Sequence, residues 1–309
     1  MKRPTSGPVR DDGTVVVPSE VSSWSPEEAD QVLARLEAEV PVASGLTDIS
    51  GQGAQEAIIF GDTHGDWRST RAAVAPFLAD PASKFLIGLG DYVDRPPDDC
   101  PNGSAANAFY LLSLVAAFPG HVYLLQGNHE TVRRIPAFPE HLTAEIDELW
   151  GPDVTRYARL MGLLERGPVA ALLARTTYLA HAAFPSGASG EGARARFNRP
   201  NDETLADVVW RECGASHLRR GVGEPFSERE LTGFLDSLGA RVMIRGHDPD
   251  LTGRSVFQDR CLTLHTSRIY ERFGGVLIGR LPLDRPVATC RDVIVEHLET
   301  EGRVFPIPF

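Results

Sequence analysis

The chain has no CxxC pair, no long apolar run, no basic surplus and no internal repeat. Each absence narrows the field. Its four cysteines (Cys100, Cys213, Cys261, Cys290) are widely spaced, which argues against a disulfide framework or a zinc knuckle and for reduced thiols in the cytoplasm. The longest apolar stretch, Tyr110 to Phe118, is interrupted by Ser113 and is far shorter than the roughly 20 residues of a membrane span. No apolar core follows the basic Lys2-Arg3 start, so neither a signal peptide nor a membrane partner is expected. Net charge is −11, and nucleic-acid binding, which rests on a basic face, is not expected either. The same charge is awkward for an enzyme of anionic substrates unless bound cations and a few arginines reverse the field locally.

What is present is an ordinary globular composition, 309 residues with 42% hydrophobic and 24% charged, enough for one large domain or two modest ones. Residues 1–24, rich in Pro, Ser, Gly and charge, read as a flexible arm with one short strand at Thr14–Val17. Residues 25–55 read as a helix and lead-in: Ser25-Pro26-Glu27-Glu28 is a helix start, with a serine cap, proline in the first turn and acids facing the dipole. The main domain is expected over 56–280, and 281–309 as an irregular tail packed on it.

From Ala57 onward short apolar strands alternate with helices. Strands are expected at Ala57–Phe60, Phe85–Leu89, His121–Leu125, Thr177–Ala180, Arg241–Ile244, Leu262–His265 and Gly275–Ile278. Helices are expected near 66–79, 105–118, 140–150 and 155–164. This is the pattern of βαβ units with helices packed on a sheet, and such folds carry their sites on the loops that leave strand carboxyl ends. Those loops hold the chemistry here. The first carries Asp62 and His64 in GDTHG, the second Asp91, Asp94 and Arg95 in GDYVDR, the third Asn128, His129 and Glu130 in GNHE; two later strands run into His181 and into RGHD with His247. Carboxylate, amide and imidazole without thiolate suit Mn, Fe, Zn or Mg, and argue against a purely structural zinc.

GDTHG, GDYVDR and GNHE, in this order, followed by YLAHAAF and IRGHD, resemble the metallophosphoesterase superfamily, and within it a prokaryotic-type member of the phosphoprotein phosphatase family of Ser/Thr phosphatases. The resemblance covers about residues 56–280. It implies a calcineurin-like α/β fold with two central mixed β-sheets flanked by helices, an αββα sandwich. It also implies two divalent metal ions about 3.5–4 Å apart, with Mn favoured and Fe or Zn possible. Asp62 and His64 would hold the first, Asp91 would bridge, and Asn128, His181 and His247 would complete the second. His129, paired with Asp94, would protonate the leaving alkoxide. Arg95, Arg220 and Asn128, with Tyr270, would bind the phosphoryl group.

The chain departs from the family at three places. Pro96-Pro97 follows Arg95 where the family has glycine, Ala182-Ala183 follows His181 where it has two glycines, and Thr266-Ser267-Arg268-Ile269-Tyr270 replaces Ser-Ala-Pro-Asn-Tyr. Proline is expected to push Arg95 into extended backbone. His265 is left open between packing and a substrate-side role, and Arg194, Arg196 and Arg199 between a substrate flap and an ordinary insertion. The expected activity is hydrolysis of phosphate monoesters, with phosphoproteins or small phosphoesters as partners. The alternatives are hydrolysis of dinucleoside polyphosphates, or a non-catalytic scaffold that binds phosphorylated partners.

Overall fold

The computed structural model describes residues 15–43, 45–51, 53–188, 192–198, 200–217 and 224–299. Two sheets form its centre. The five-stranded sheet runs β11(Ile294–His297)-β10(Leu277–Pro282)-β2(Glu56–Phe60)-β3(Lys84–Gly88)-β4(Val122–Leu124). The six-stranded sheet runs β1(Leu46–Ile49)-β5(Ala170–Leu173)-β6(Thr177–Ala180)-β7(Val242–Arg245)-β9(Cys261–Thr263)-β8(Ser255–Val256). Strand alternation divides the side chains among three cores. Ala57 and Ile59 face the other sheet, meeting Leu179, Val242, Ile244 and Leu264 in the central core. Ile58 and Phe60 face outward, onto helices α1(Pro26–Glu39), α2(Trp67–Leu78) and α3(Gly103–Ala117) and their neighbours α4(Leu142–Trp150) and α5(Val154–Leu164). On the far side, Leu172, Tyr178 and Met243 pack with α6(Gly192–Ala195), α7(Asp202–Trp210) and α8(Glu228–Leu238). Strands apolar on both faces are what a doubly covered sheet requires, and each fully buried large side chain contributes about 1.5–3 kcal/mol. The result is an α/β sandwich of two mixed sheets flanked by helices.

Several expected boundaries shift. The lead-in over 25–55 contains β1, which pairs in parallel with β5, so the six-stranded sheet begins before residue 56. The tail from 281 is not wholly irregular over its described residues 281–299: β10 continues to Pro282, and β11 adds an antiparallel edge strand to it; residues 300–309 lie outside the described residues. Both β1 and β11 are four-residue edge strands, too short to show a period against their polar surroundings. The short strand expected at Thr14–Val17 reduces, among described residues, to a bridge at Val16. The helix start at Ser25 is present, with a full capping box to Glu28.

What matters for function is direction. β2, β3 and β4 are parallel neighbours, as are β6, β7 and β9, so each set releases its loops on one edge. An isolated bridge between Asp62 and His265 ties the two edges together just past β2 and β9. No helix among the described residues is long and apolar enough to cross a membrane.

Candidate metal centre

The loops after β2, β3, β4, β6 and β7 converge on one pocket of about 270 Å³, lined by Asp62, Asp91, Arg95, Asn128, Pro136, Phe138, Trp210, His247 and Tyr270. The backbone there is strained to an unusual degree. His64 (φ 44°), Asp91 (56°), Asp94 (66°), Arg95 (53°) and His247 (71°) all lie in the left-handed region, at a cost of roughly 1–3 kcal/mol each. Hydrogen bonds hold them. Thr63 and His64 N–H donate to the Asp91 carbonyl (3.0 and 2.9 Å). The buried Glu130 carboxylate accepts from the N–H groups of Asp91 (2.7 Å), Tyr92 (2.9 Å) and Gly127 (2.8 Å), bracing the second loop to the third. The two loops touch at Gly90, where a Cβ would stand 2.6 Å from the Gly127 Cα at a φ of +104°, so only glycine fits.

Backbone carbonyls set the histidine tautomers. His64 Nδ1–H donates to Val93 O (3.0 Å), His181 Nδ1–H to Leu89 O (3.0 Å) and His247 Nε2–H to Trp210 O (3.1 Å). The opposite nitrogen of each ring is thereby turned toward the pocket, the arrangement by which outer partners prepare imidazoles for metal. Those nitrogens face other acceptors. His181 Nε2 lies 2.9 Å from Asn128 Oδ1, 3.2 Å from His247 Nδ1 and 3.4 Å from Asp91 Oδ2. His64 Nε2 lies 3.5 Å from Asp91 Oδ2 and has no hydrogen-bond partner. Electron-pair donors crowded together repel unless a positive charge sits among them, a proton on His181 Nε2 or a bound cation in its place. Ligand atoms of Asp62, Asp91 and His181 fall within 4.8 Å of one another, as do those of His64, Asp91 and His129, with Asp91 common to both sets. The donor set fits two divalent cations.

Charge leads to the same requirement. Burial, and after it the Arg95 guanidinium, holds His64 down at about 3, so its ring is neutral. Burial opposes a charge on His181 as well, but the Asp91 and Asp62 carboxylates outweigh it and raise His181 to about 9: a proton there supplies the positive charge that two buried carboxylates demand. His129 donates from Nδ1 to Asp94 Oδ2 at 2.6 Å, and its Nε2 has no partner. Asp94 Oδ1 accepts from the His141 and Leu142 N–H groups (2.6 and 3.0 Å) at the start of α4. Burial works against the charge on both members of this pair. The Asp91 and Asp94 carboxylates still raise His129, and the bonds from His129 still lower Asp94.

Asp62, His64, Asp91, Asn128, His181 and His247 are therefore brought together, with His129 and Asp94 beside them. Arg95 and Tyr270 line the pocket; Arg220 lies outside the described residues. The extended backbone expected of Arg95 before Pro96 is not adopted. Its N–H donates to His141 Nδ1 (3.0 Å) and its Nη2 to the Phe138 carbonyl (2.9 Å), and these contacts hold a positive φ. Ala182 and Ala183, in place of two glycines, have no positive φ; their N–H groups donate to Val208 O (2.9 and 3.0 Å). His265 is not on the substrate side. It is buried behind Asp62, with Nε2 3.4 Å from Asp62 Oδ2 and Nδ1 2.9 Å from Thr252 Oγ1. Of the flap arginines, Arg194 pairs with Asp48 (2.8 Å) and Arg199 is outside the described residues. Arg133 and Arg134 pair with Glu165 and Asp202.

Some contributors had no sequence signal. Asp66 caps α2 through Ser69 N–H (3.3 Å), as expected, but it also holds the buried Arg268 guanidinium at 2.8 Å, which reaches on to Asp99 at 2.7 Å. Phe138, Pro136 and Trp210 line the pocket through positions that no spacing rule marks.

The calcineurin-like phosphoesterase family profile matches residues 57–251. The chain belongs to that family. The family uses a dinuclear metal site, for which the donors above are the candidates. The chain is 26% identical over 252 residues to a probable serine/threonine-protein phosphatase of Encephalitozoon cuniculi, covering 78% of this chain and 52% of that protein. It is 24% identical over 286 residues to human serine/threonine-protein phosphatase 5, covering 86% and 55%. The chain thus spans about half the length of these relatives. Its fold is similar to that of a Saccharomyces cerevisiae protein serine/threonine phosphatase structure (TM-score 0.67, 18% identity, 96% and 94% of the two chains). It is also similar to a cold-active protein-tyrosine phosphatase of a Shewanella species (TM-score 0.54, 14% identity, 85% and 84%).

Proposed function

We propose that this chain hydrolyses phosphate monoesters with two divalent metal ions, and that phosphorylated protein side chains are among its substrates, as the names of its serine/threonine phosphatase relatives indicate. The observation that carries this reading is the convergence of carboxylate, amide and imidazole ligand atoms from Asn128, His181, His247, His64 and Asp91 on one buried space. Asp62, His64 and Asp91 would hold one cation, and Asp91, Asn128, His181 and His247 the other. The bound cations would supply positive charge to the phosphoryl group and acidify a water near neutral pH.

The protein's own groups do the rest. Asp94 fixes the His129 ring through Nδ1 and stabilises its protonated form, which leaves Nε2–H free to donate to the departing ester oxygen. Arg95 Nε has no protein acceptor and is the guanidinium available on the pocket wall for phosphoryl oxygens. We assign Arg220 the second clamp and Tyr270 a contact beside the phosphate. Manganese is the proposed metal, since carboxylate, amide and imidazole donors suit it, though they suit Fe and Zn too. A cytoplasmic location is supported by four buried, unpaired thiols. The prokaryotic-type assignment rests on Pro96-Pro97, Ala182-Ala183 and the Thr266–Ile269 tract.

The test is bound-metal analysis together with kinetics on phosphopeptides, nucleotides and dinucleoside polyphosphates. His129→Asn is expected to keep both metals and lose about 100- to 10,000-fold in kcat. Two metals bound by the wild-type chain without turnover of any phosphoester would favour a scaffold instead, and preference for the dinucleoside polyphosphates a phosphoanhydride hydrolase.

A further inference from the structure

The donors on the pocket floor leave one feature of its rim unexplained. Phe138 is 76% exposed, yet it lines the same pocket as Asp91 and His247, together with Pro136, Trp210 and Tyr270. Its backbone is tied to the site. The Phe138 carbonyl accepts from Arg95 Nη2 (2.9 Å), so the residue is tied through its backbone to the guanidinium on the pocket wall. Two further flat side chains share that wall. Tyr270 is buried, its ring 4.4 Å from His265 and 5.8 Å from His64, and the Trp210 ring stands 5.8 Å from His247. The pocket therefore combines charged groups with aromatic walls, of which Phe138 is the exposed member, a distribution that suits a ligand with an anionic head and a flat apolar body.

Resting on the phosphate monoester reading above, we propose that the site takes aryl phosphate monoesters, of which phosphotyrosine is the amino-acid example, in preference to alkyl ones. Phe138 would be the specificity residue that packs against the ester's ring. The chemistry is simple hydrolysis: water's oxygen bonds to phosphorus, the bond from phosphorus to the phenolic oxygen breaks, and the phenolate takes a proton from His129, leaving a phenol and inorganic phosphate. In a serine ester the atom beside the bridging oxygen is a single methylene, which offers the rim nothing to hold. In a tyrosine ester it is a ring.

Free O-phospho-L-tyrosine and O-phospho-L-serine separate the two cases, since they differ only by that ring. Phenolate is the better leaving group, so a preference in the wild type alone decides nothing; the change in the ratio on mutation cancels it. Phe138→Ala removes almost no packing, because the side chain stands in solvent, and it keeps the carbonyl that holds Arg95. It is expected to lower kcat/KM for phosphotyrosine about 10-fold, through KM, the loss of one ring-on-ring contact with its buried area. Turnover of phosphoserine should fall far less, and Phe138→Trp should keep the preference. An equal fall on both substrates, or on neither, overturns the proposal. Failure of the metal-loaded wild type to hydrolyse either ester would instead overturn the phosphate monoester reading, and this inference with it.

Discussion

Asp91 and Phe138 line one pocket by opposite means. Asp91 is 3% exposed, carries a strained φ of 56°, and is bonded through its N–H, carbonyl and carboxylate to Glu130, Thr63, His64 and His129. Phe138 is 76% exposed, and its ring has no aromatic partner among the described contacts; its carbonyl receives the Arg95 guanidinium. Nearly every floor group is positioned by another loop's backbone, so its geometry is over-determined and can sustain strain. The rim group is tied to another loop only through its carbonyl, and its ring stands in solvent. The floor should therefore matter to every substrate and to metal, and the rim only to substrates that reach it.

The strongest attempt to break this contrast is Asp91→Asn. Asparagine tolerates positive φ as well as aspartate does and can keep the bond from His129 N–H to Asp91 Oδ1, so the fold should survive. What goes is a carboxylate charge common to both ligand sets. The expected outcome is loss of bound metal, with turnover of all phosphoesters falling on the order of 1,000-fold. Wild-type metal stoichiometry in this variant, measured by elemental analysis, would remove Asp91 from the bridging position.

His265 tests whether the floor extends one layer further. It touches Asp62, Thr252 and the Tyr270 ring but does not line the pocket, so it acts on substrate only through its neighbours, Asp62 first among them. Burial opposes the charge on Asp62, and His265 and His181 together outweigh it, bringing the carboxyl to about 2. Outer partners of metal ligands are worth about 10- to 100-fold in metal affinity. His265→Phe should weaken manganese binding about 10-fold by calorimetric titration while leaving the ratio of aryl to alkyl turnover unchanged. Unaltered affinity would reduce the residue to packing.

The same contrast explains what could be read in the sequence. GDTHG, GDYVDR and GNHE were legible because floor chemistry demands particular residue types, packed at strand ends where short apolar runs stop at glycine. His181 and His247 stood out for the same reason. Asp66 was legible as a cap, since caps are local, but its bond to Arg268 is not: the two are joined across more than two hundred positions by the fold. His265 was legible as lying near the pocket but was left open between packing and a substrate-side role, because register decides which way a strand-end side chain turns. Phe138 carries no motif at all; only its exposure beside the site marks it. The edge strands β1 and β11 were missed because four residues do not establish an alternation.

The smallest expected effect lies behind the floor, at Glu145 of α4. Its carboxylate is buried at the start of α3, accepting from Ser104 Oγ–H (2.6 Å) and Ala105 N–H (3.0 Å), and Ser104 Oγ accepts from Asp94 N–H (2.9 Å). Burial pushes this acid from 4.5 up to about 7. Between those values the folded chain keeps a proton that the unfolded chain has released. This contribution to stability is fully present below about pH 4.5 and is lost as pH rises through 7, a change of order 3 kcal/mol. Glu145→Gln has no charge to acquire. Its amide oxygen can still accept from Ala105 N–H while its NH2 donates to Ser104 Oγ, at a cost of about 1 kcal/mol for the rearranged Ser104 bond, and it escapes the loss that ionisation imposes on the wild type. The Tm of the variant relative to wild type should therefore rise by about 5 °C or more between pH 5 and pH 8, all other titrating groups being common to both proteins. Parallel Tm profiles would mean that Glu145 ionises as easily in the fold as outside it. The support behind Asp94 would then resemble the solvent-facing rim more than the floor.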